Sequence, residues 1–563
     1  MPTNMTLRIP DDFWYHVSTF IPHRQLEDLY SVNRALFNTA MNTKYRRVEF
    51  ANFDDEKMYL LKRLADPYVS RRVRSLHLDT WSVFTSHHRR GHTIYSSEEI
   101  IRAMTDAVHG MTGLTDFSLH WRNHLFAADL LPFLATAWST LRMPLRRLAV
   151  TAPLGRLQTI LATCFGFERL WELSISLEPD NFAGSAIAEA RVLTQVVAPL
   201  VNALTPHLRH LCIASRSLSA DVSPLLWALV RFPLLHSSCI FIPYENCGMD
   251  DDGSLAFFLR RQSGVLRFFE LAPLPPPRAA QSIEATTTES VLQTWLTRHQ
   301  KDKEILDGLE MLRMYLPPGC FETSLAHLTR SVDTLRTLTL DGQYLEFEQV
   351  DSLVTVFKGY GLRTLRLSAE SLSPRLVARL ARLGPCLEDL QLLVQAVADE
   401  HDEVQTDLPT QNVTHCLSRL TVKGINLEWD NAYLFLQLFH HYFHDCRITS
   451  LGIDLHTLSP LVVDGLAKEL PDLTSLRLNV QNIVGDAIIT TPPLPDFRST
   501  TSKLEEFRRG MCGKRYEAWP LEEAYVTSTS LTLSAVGEVP VEGVYPGIVE
   551  VLATCIPRLK PEV

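Results

Sequence analysis

The residues with the clearest chemical potential lie at His440-His441-Tyr442-Phe443-His444, followed by Cys446. On a helix, His440 and His444 stand one turn apart on one face, where two imidazoles can share a metal ion. A zinc-protease helix needs a glutamate directly after its first histidine, and His441 stands there instead. Imidazoles also suit the carboxyl end of a helix, where their cationic form complements the dipole. A solvated helix-end cluster accounts for them, and no metal site is assigned. Asp250-Asp251-Asp252-Gly253 has the spelling of a calcium loop. However, Gly248 falls at the first ligand position and Leu259 where the bidentate glutamate belongs. Gly510-Met511-Cys512-Gly513-Lys514 sets glycines before a lysine, without the spacing or hydroxyl residue of a phosphate loop. His87-His88-Arg89-Arg90 reads as a polar loop. The sequence therefore assigns no catalytic residue and no cofactor. An enzyme whose residues converge only in space stays open as an alternative.

Charge and cysteine usage narrow the classes further. Net charge is −10, which argues against nucleic acid as the main partner. The basic pairs Arg71-Arg72, Arg89-Arg90, Arg146-Arg147, Arg260-Arg261 and Arg508-Arg509 read as solvated faces. The ten cysteines are scattered with no C-x-x-C pair, as expected of reduced thiols in an intracellular chain, cytoplasmic or nuclear. The opening MPTNMTLRIPDD lacks the apolar core of a signal peptide. The longest apolar run, near residues 432–439, is too short for a membrane span, so no membrane partner is expected.

The elements that would carry any surface are set by a recurring apolar pattern, L-x-x-L-x-L with Val, Ile or Phe allowed. In the first half it appears at Val73/Leu76/Leu78, Leu114/Phe117/Leu119, Leu145/Leu148/Val150, Leu170/Leu173/Ile175 and Leu208/Leu211/Ile213. Weaker copies stand at Leu235/Ile240, Leu266/Phe269/Leu271 and Leu309/Leu312/Met314. In the second half the middle positions are 338, 365, 390, 420, 451, 476 and 507, the last from Leu504/Phe507, in steps of 25 to 31 residues. That spacing suits one strand and one helix per turn. The closing apolar pair, two residues apart, shares one strand face.

Helices are expected at 56–64, 349–360, 374–383, 431–443 and 460–470, and loops near 272–289, 396–411 and 489–500. The tail is strand-like at 530–536 and helix-like at 547–555, and is placed to cap the stack. The predicted fold is an α/β solenoid over residues 51–563 behind a short helical module over residues 7–50. It resembles a leucine-rich repeat of the irregular kind often joined to an F-box, without the usual Asn or Cys ladder. In such strands the residues between the leucines face outward. Candidate target contacts are Thr337, Thr339, Asp341, Thr364, Arg366, Ser368, Arg419, Thr421, Lys423, Ser475, Arg477 and Asn479.

The module over residues 7–50 carries more apolar side chains than about 40 residues can bury. Ile9-Pro10 opens it, Asp11 can cap a helix, and Phe13, Val17 and Phe20/Ile21 share a helical face. Pro22 is expected to end that helix. Leu26, Leu29, Val32 and Leu36 follow, with a break near Asn33. Ile9-Pro10, Asp12, Phe13-Trp14, Val17, Ile21-Pro22, Leu26, Leu29, Val32-Asn33-Arg34 and Phe37 resemble an F-box, and the wording around Asn33 and Lys44 resembles variants from mushroom-forming fungi. Asn33 stands where that family has cysteine, and Phe37 where it has tryptophan.

The resemblance implies docking on the Skp adaptor of a cullin ubiquitin ligase through Ile9, Pro10, Phe13, Val17, Ile21, Leu26, Leu29, Val32 and Phe37. The repeat surface would hold an unknown target protein, and ubiquitin chemistry would lie in partner subunits. The alternative is a repeat-based interaction scaffold with no ubiquitin role.

Overall fold

The computed structural model describes residues 9–51, 53–80, 95–122, 130–161, 164, 166–179, 186–216, 221–242, 252–272, 291–299, 302, 304–316, 319–398, 416–427, 429–443, 446–484, 500–528, 543–544 and 546–559. The chain forms two compact units, Met1–Ile305 and Leu306–Val563.

The first unit opens with three helices, α1 (Asp11–Ser18), α2 (His23–Asp28) and α3 (Arg34–Tyr45). Pro10 takes the cap position of α1, so Asp11 lies inside the first turn, where its charge favours the helix dipole. α1 stops at Ser18, and Pro22 opens α2 instead of closing α1. Asn33 caps α3, its Oδ1 accepting from the Leu36 amide at 2.9 Å. One residue after α3 ends at Tyr45 the chain enters β1 (Arg47–Phe50), so residues 47–50 belong to the sheet and not to the helical module. Two more helices follow, α4 (Asp55–Leu64) and α5 (Pro67–Ser70).

Then come β2 (Ser75–Asp79), β3 (Asp116–His120), β4 (Arg147–Pro153), β5 (Glu172–Glu178), β6 (His210–Ser215), β7 (Ser237–Phe241) and β8 (Phe268–Ala272). These strands pair in chain order, all parallel. Register stacks Phe50, Leu78, Leu119, Val150, Ile175, Ile213, Ile240 and Leu271 into one buried row. The earlier apolar residue of each copy turns inward as well: Val73, Leu114, Leu145, Leu170 and Leu208 are all fully buried. A row of this kind is worth about 1.5–3 kcal/mol per large side chain, and only stacking removes both of its sides from water.

The second unit repeats the plan with β9 (Met311–Tyr315), β10 (Thr337–Leu345), β11 (Thr364–Leu372), β12 (Asp389–Val397), β13 (Arg419–Leu427), β14 (Ser450–Leu458), β15 (Ser475–Ile483) and β16 (Glu523–Ser528), again parallel in chain order. A short β17 (Gly543–Val544) adds antiparallel to β16. From β10 to β15 each strand runs nine residues. Several pass directly into a capped helix: Ser373 before Pro374–Leu380 and Ser459 before Pro460–Glu469. Each of these helices opens on proline, whose missing N–H costs nothing there. The ladder shifts register within β10 and β13, where Gly342 and Gly424 take positive φ. A Cβ at Gly424 would lie 2.5 Å from the Val394 carbonyl oxygen, so the bulge requires glycine.

Two strands differ from the sequence reading. Leu504/Phe507 lies in a helix, Thr500–Met511, because an i, i+3 apolar pair fits a helix as well as a repeat. The last parallel strand is β16, with Leu521, Ala524 and Val526 buried. The helix at Pro546–Cys555 forms as expected. Residues 530–536, 273–289, 399–411 and 489–499 lie outside the described residues, whereas 396–397 complete β12. Each unit is thus an α/β solenoid of leucine-rich-repeat-like turns. Among the described residues no helix is long and apolar enough to cross a membrane.

Candidate functional site

The helical module keeps a small core of its own. Leu26, Leu36 and Ala40 are buried together, with Trp14, Ile21 and Leu29 packed half-buried against them. Leu26, expected on the docking surface, is 1% exposed and holds the three helices together instead. Val17 is half-buried. Ile9, Pro10, Phe13, Val32 and Phe37 are exposed, with Phe13 at 52% and Val32 at 57%. Phe20 and Tyr30 are also bared, although the motif reading did not assign them to docking. Among the described residues, seven of the eighteen exposed large apolar side chains fall between Ile9 and Phe37. The first unit therefore does not cover this module's outer surface.

The module is fixed to the repeats and not tethered loosely. Tyr45, the last residue of α3, is buried, as are Val48 and Phe50 of β1 directly after it. Arg72 reaches back to α3 from beyond α5. Its guanidinium donates to Asn38 Oδ1 at 2.9 Å, the Asn38 carbonyl at 3.2 Å and Asn42 Oδ1 at 2.5 Å. Its Nε donates to the Tyr68 carbonyl at 3.1 Å. Burial, and then the neighbouring Arg71 charge, hold the Arg72 pKa below its ordinary value.

In the second unit, register aligns the proposed target contacts on one strand face. Thr337 pairs with Thr364, Thr339 with Arg366, and Asn479 with Asp454 across adjacent strands. Ser368 is the exception: it is 2% exposed and offers nothing to a ligand. The rest of the face is largely self-paired. Asp341 accepts from Arg313 Nε and Arg366 Nε at 3.1 Å each. Arg419 pairs with Asp389 at 3.2 Å, and the Arg477 guanidinium lies 5.4 Å from the centre of the Tyr525 ring. Ser475 donates to Glu523 and Thr527 to Asn479 at 3.4 Å. Thr421 is half-buried and Lys423 exposed.

The histidine cluster resolves into helix periodicity. In the helix Trp429–Tyr442, Phe435 and Phe439 point inward in ring contact, and Phe439 stacks on Phe443 just beyond its end, while His440 and His441 stand exposed in the last turn. His444 lies outside the described residues. Among the described residues no group of three His, Cys, Asp or Glu side chains is arranged to hold a metal. The nine described cysteines are free thiols. Burial pushes the Cys164 and Cys239 thiols well up, and Cys320 to about 11, the opposite of an activated nucleophile.

The surface that sequence reasoning missed lies in the first unit, at the amino-terminal ends of β1–β5. A groove of about 740 Å³ opens there, lined by Arg46, Arg47, Arg72, Arg74 and Arg147, with Asp116 and Glu172 as its only carboxylates among the described residues. Members of two basic pairs, read from sequence as solvated faces, meet in it because each repeat stacks on the last.

No family model matches the chain, and no curated protein matches it. Among solved structures it is similar to the Rad7 and Elc1 complex in yeast, at 13% identity over 87% of this chain and 95% of that one, with a TM-score of 0.36. It is also similar to the leucine-rich repeat-containing protein LegL7 from Legionella pneumophila, at 12% identity over 62% of this chain and 91% of that one, with a TM-score of 0.33.

Proposed function

We propose that this chain is the substrate-recruiting subunit of a Skp–cullin–F-box ubiquitin ligase. The observation that carries the reading is the bared apolar surface of the helical module, from Ile9 and Phe13 to Val32 and Phe37, on a unit already holding its own core. Apolar surface of this density on a soluble module marks a protein interface. The module resembles an F-box in the residues that form this surface. Asn33, where that family has cysteine, serves as the cap of α3, so the departure has a local structural role. The repeats, fastened to the module through Tyr45 and Arg72, would carry the target.

Co-purification of the full chain with a Skp adaptor and a cullin tests the proposal. Phe13→Asp with Val32→Asp charges the exposed face and leaves Leu26 and Leu36 in place. With anchors of about 1.5–3 kcal/mol each, the pair is expected to lower adaptor affinity more than about 100-fold. Retention by this variant would overturn the docking surface. Adaptor binding without cullin would leave a scaffold with no ubiquitin role.

A further inference from the structure

We infer that the arginine-lined groove of the first unit binds an acidic protein segment, through aspartate and glutamate side chains of an extended partner. This goes beyond the adaptor reading and does not depend on it. The groove draws its cations from chain positions up to about a hundred residues apart, in a molecule whose net charge is −10. Among the described residues, the side chains of Arg46 and Arg47 have no hydrogen-bond or ion-pair partner, so their charge answers no need of the fold.

The arginines behind them are held in place, but by neutral oxygens. Arg74 donates to the Gly113 carbonyl at 2.7 Å, and Arg72 is spread over the α3 asparagines and the Tyr68 carbonyl. Arg71, in an adjoining cleft of about 470 Å³ that shares Asn42, Arg72 and Arg74, lies over the Tyr68 ring. Like charges held together without carboxylates repel, and an anion relieves that repulsion. Only Arg147 is already matched, by Asp116.

Shape selects the ligand. Arg47 and Arg147 stand on β1 and β4, three strand spacings of about 4.8 Å apart. An extended segment crosses that distance in about four residues, so two or three carboxylates close together in sequence would match the cations. Guanidinium forks suit carboxylates in bidentate geometry. A nucleic acid strand would want exposed aromatic faces for its bases, and among the described residues the one aromatic ring lining the groove, Phe117, is 2% exposed.

The test is a fluorescence anisotropy titration of the full chain, without adaptor, using a short labelled peptide rich in Asp and Glu and its Asn/Gln counterpart. The acidic peptide is expected to bind at least about tenfold more tightly, with affinity falling as salt rises. Arg46→Glu with Arg47→Glu is expected to remove that preference while leaving the melting temperature unchanged, since neither side chain has a partner in the fold. Equal binding of the two peptides, or full binding by the double variant, would overturn the inference. So would tighter binding of a single-stranded oligonucleotide, or of a peptide whose only charge is one phosphate. A double variant that melts early is replaced by Arg46→Gln with Arg47→Gln, judged by the same preference.

Discussion

In the second unit Asp341 sits 3.1 Å from both Arg313 and Arg366, and Arg419 has Asp389 across the strand. In the first, Arg46 and Arg47 face a groove in which arginines outnumber carboxylates five to two. Each face rests on a parallel ladder of its own unit, built with buried apolar rows of the same kind. The repeat dictates the residues that turn inward and leaves the outward ones free. Charges that cancel across strands are what a face needs when water is its only neighbour. Charges left uncancelled at fixed positions are a cost that a partner recovers. The difference between the two faces is therefore functional information that the common core does not contain.

The largest expected effect breaks the similarity of the cores. Leu148→Ala in β4 and Leu365→Ala in β11 each delete a fully buried rung. Each should destabilise its own unit by about 2–5 kcal/mol. Denaturant unfolding followed by hydrogen exchange checks this, with the loss of protection confined to neighbouring turns, as in a stack held by nearest-neighbour contacts. Loosening spread evenly over both units would contradict the division. The next effect belongs to the second unit. Ser373 and Ser459 accept from the Leu376 and Val462 amides at 3.2 and 3.4 Å. Replacing either by alanine should cost about 1 kcal/mol, read as a shift in the midpoint of that unit's transition.

These rungs were legible in the sequence because Leu, Ile and Val recur at fixed offsets in nearly every turn. The exceptions show where legibility ends. Tyr45, Val48 and Phe50 form the first turn, but an aromatic residue at each end and a place inside the F-box-like stretch concealed it. Leu504/Phe507 has the same local spelling on a helix, and only a third apolar residue two positions on, absent at Arg509, separates the two. Leu26 matches the motif as well as Phe13 does, since a pattern records apolar positions and not which neighbour covers them. The groove had only the Arg71-Arg72 and Arg146-Arg147 pairs as a local signal, and a pair does not say what it meets. Arg47, Arg72 and Arg147 meet through strand register and the reach of one side chain, neither of which a single stretch encodes.

A smaller effect would turn one face into the other. Asp341→Asn removes the acceptor charge between Arg313 and Arg366, whose side chains are 42% and 44% exposed. Because these pairs are screened by solvent, the stability loss should stay within about 1 kcal/mol. The same substitution takes the shared carboxylate away from two neighbouring guanidiniums. If uncancelled charge is what separates the faces, the variant should gain salt-sensitive binding of the acidic peptide even with Arg46 and Arg47 reversed to glutamate. No gain would mean that the shape of the first groove matters more than its charge.

The smallest effect concerns Asp454, a carboxylate on the second face for which burial outweighs its partners. Asp454 Oδ2 accepts from the Gly424 amide at 3.0 Å, and Lys423 and Asn479 also favour its charged form, yet burial raises its pKa above the ordinary value. A carboxylate with a raised folded pKa binds its proton more tightly in the folded state. Its contribution to stability is full below the unfolded value of about 4 and is lost as pH rises through the folded one. Asp454→Asn keeps an oxygen for the Gly424 amide and removes the titration. Between about pH 4 and neutrality, the unfolding midpoint of the native chain should therefore fall relative to that of the variant. Parallel curves would mean that Gly424, Lys423 and Asn479 offset the burial completely, and that this face is neutralised at every position by its own neighbours.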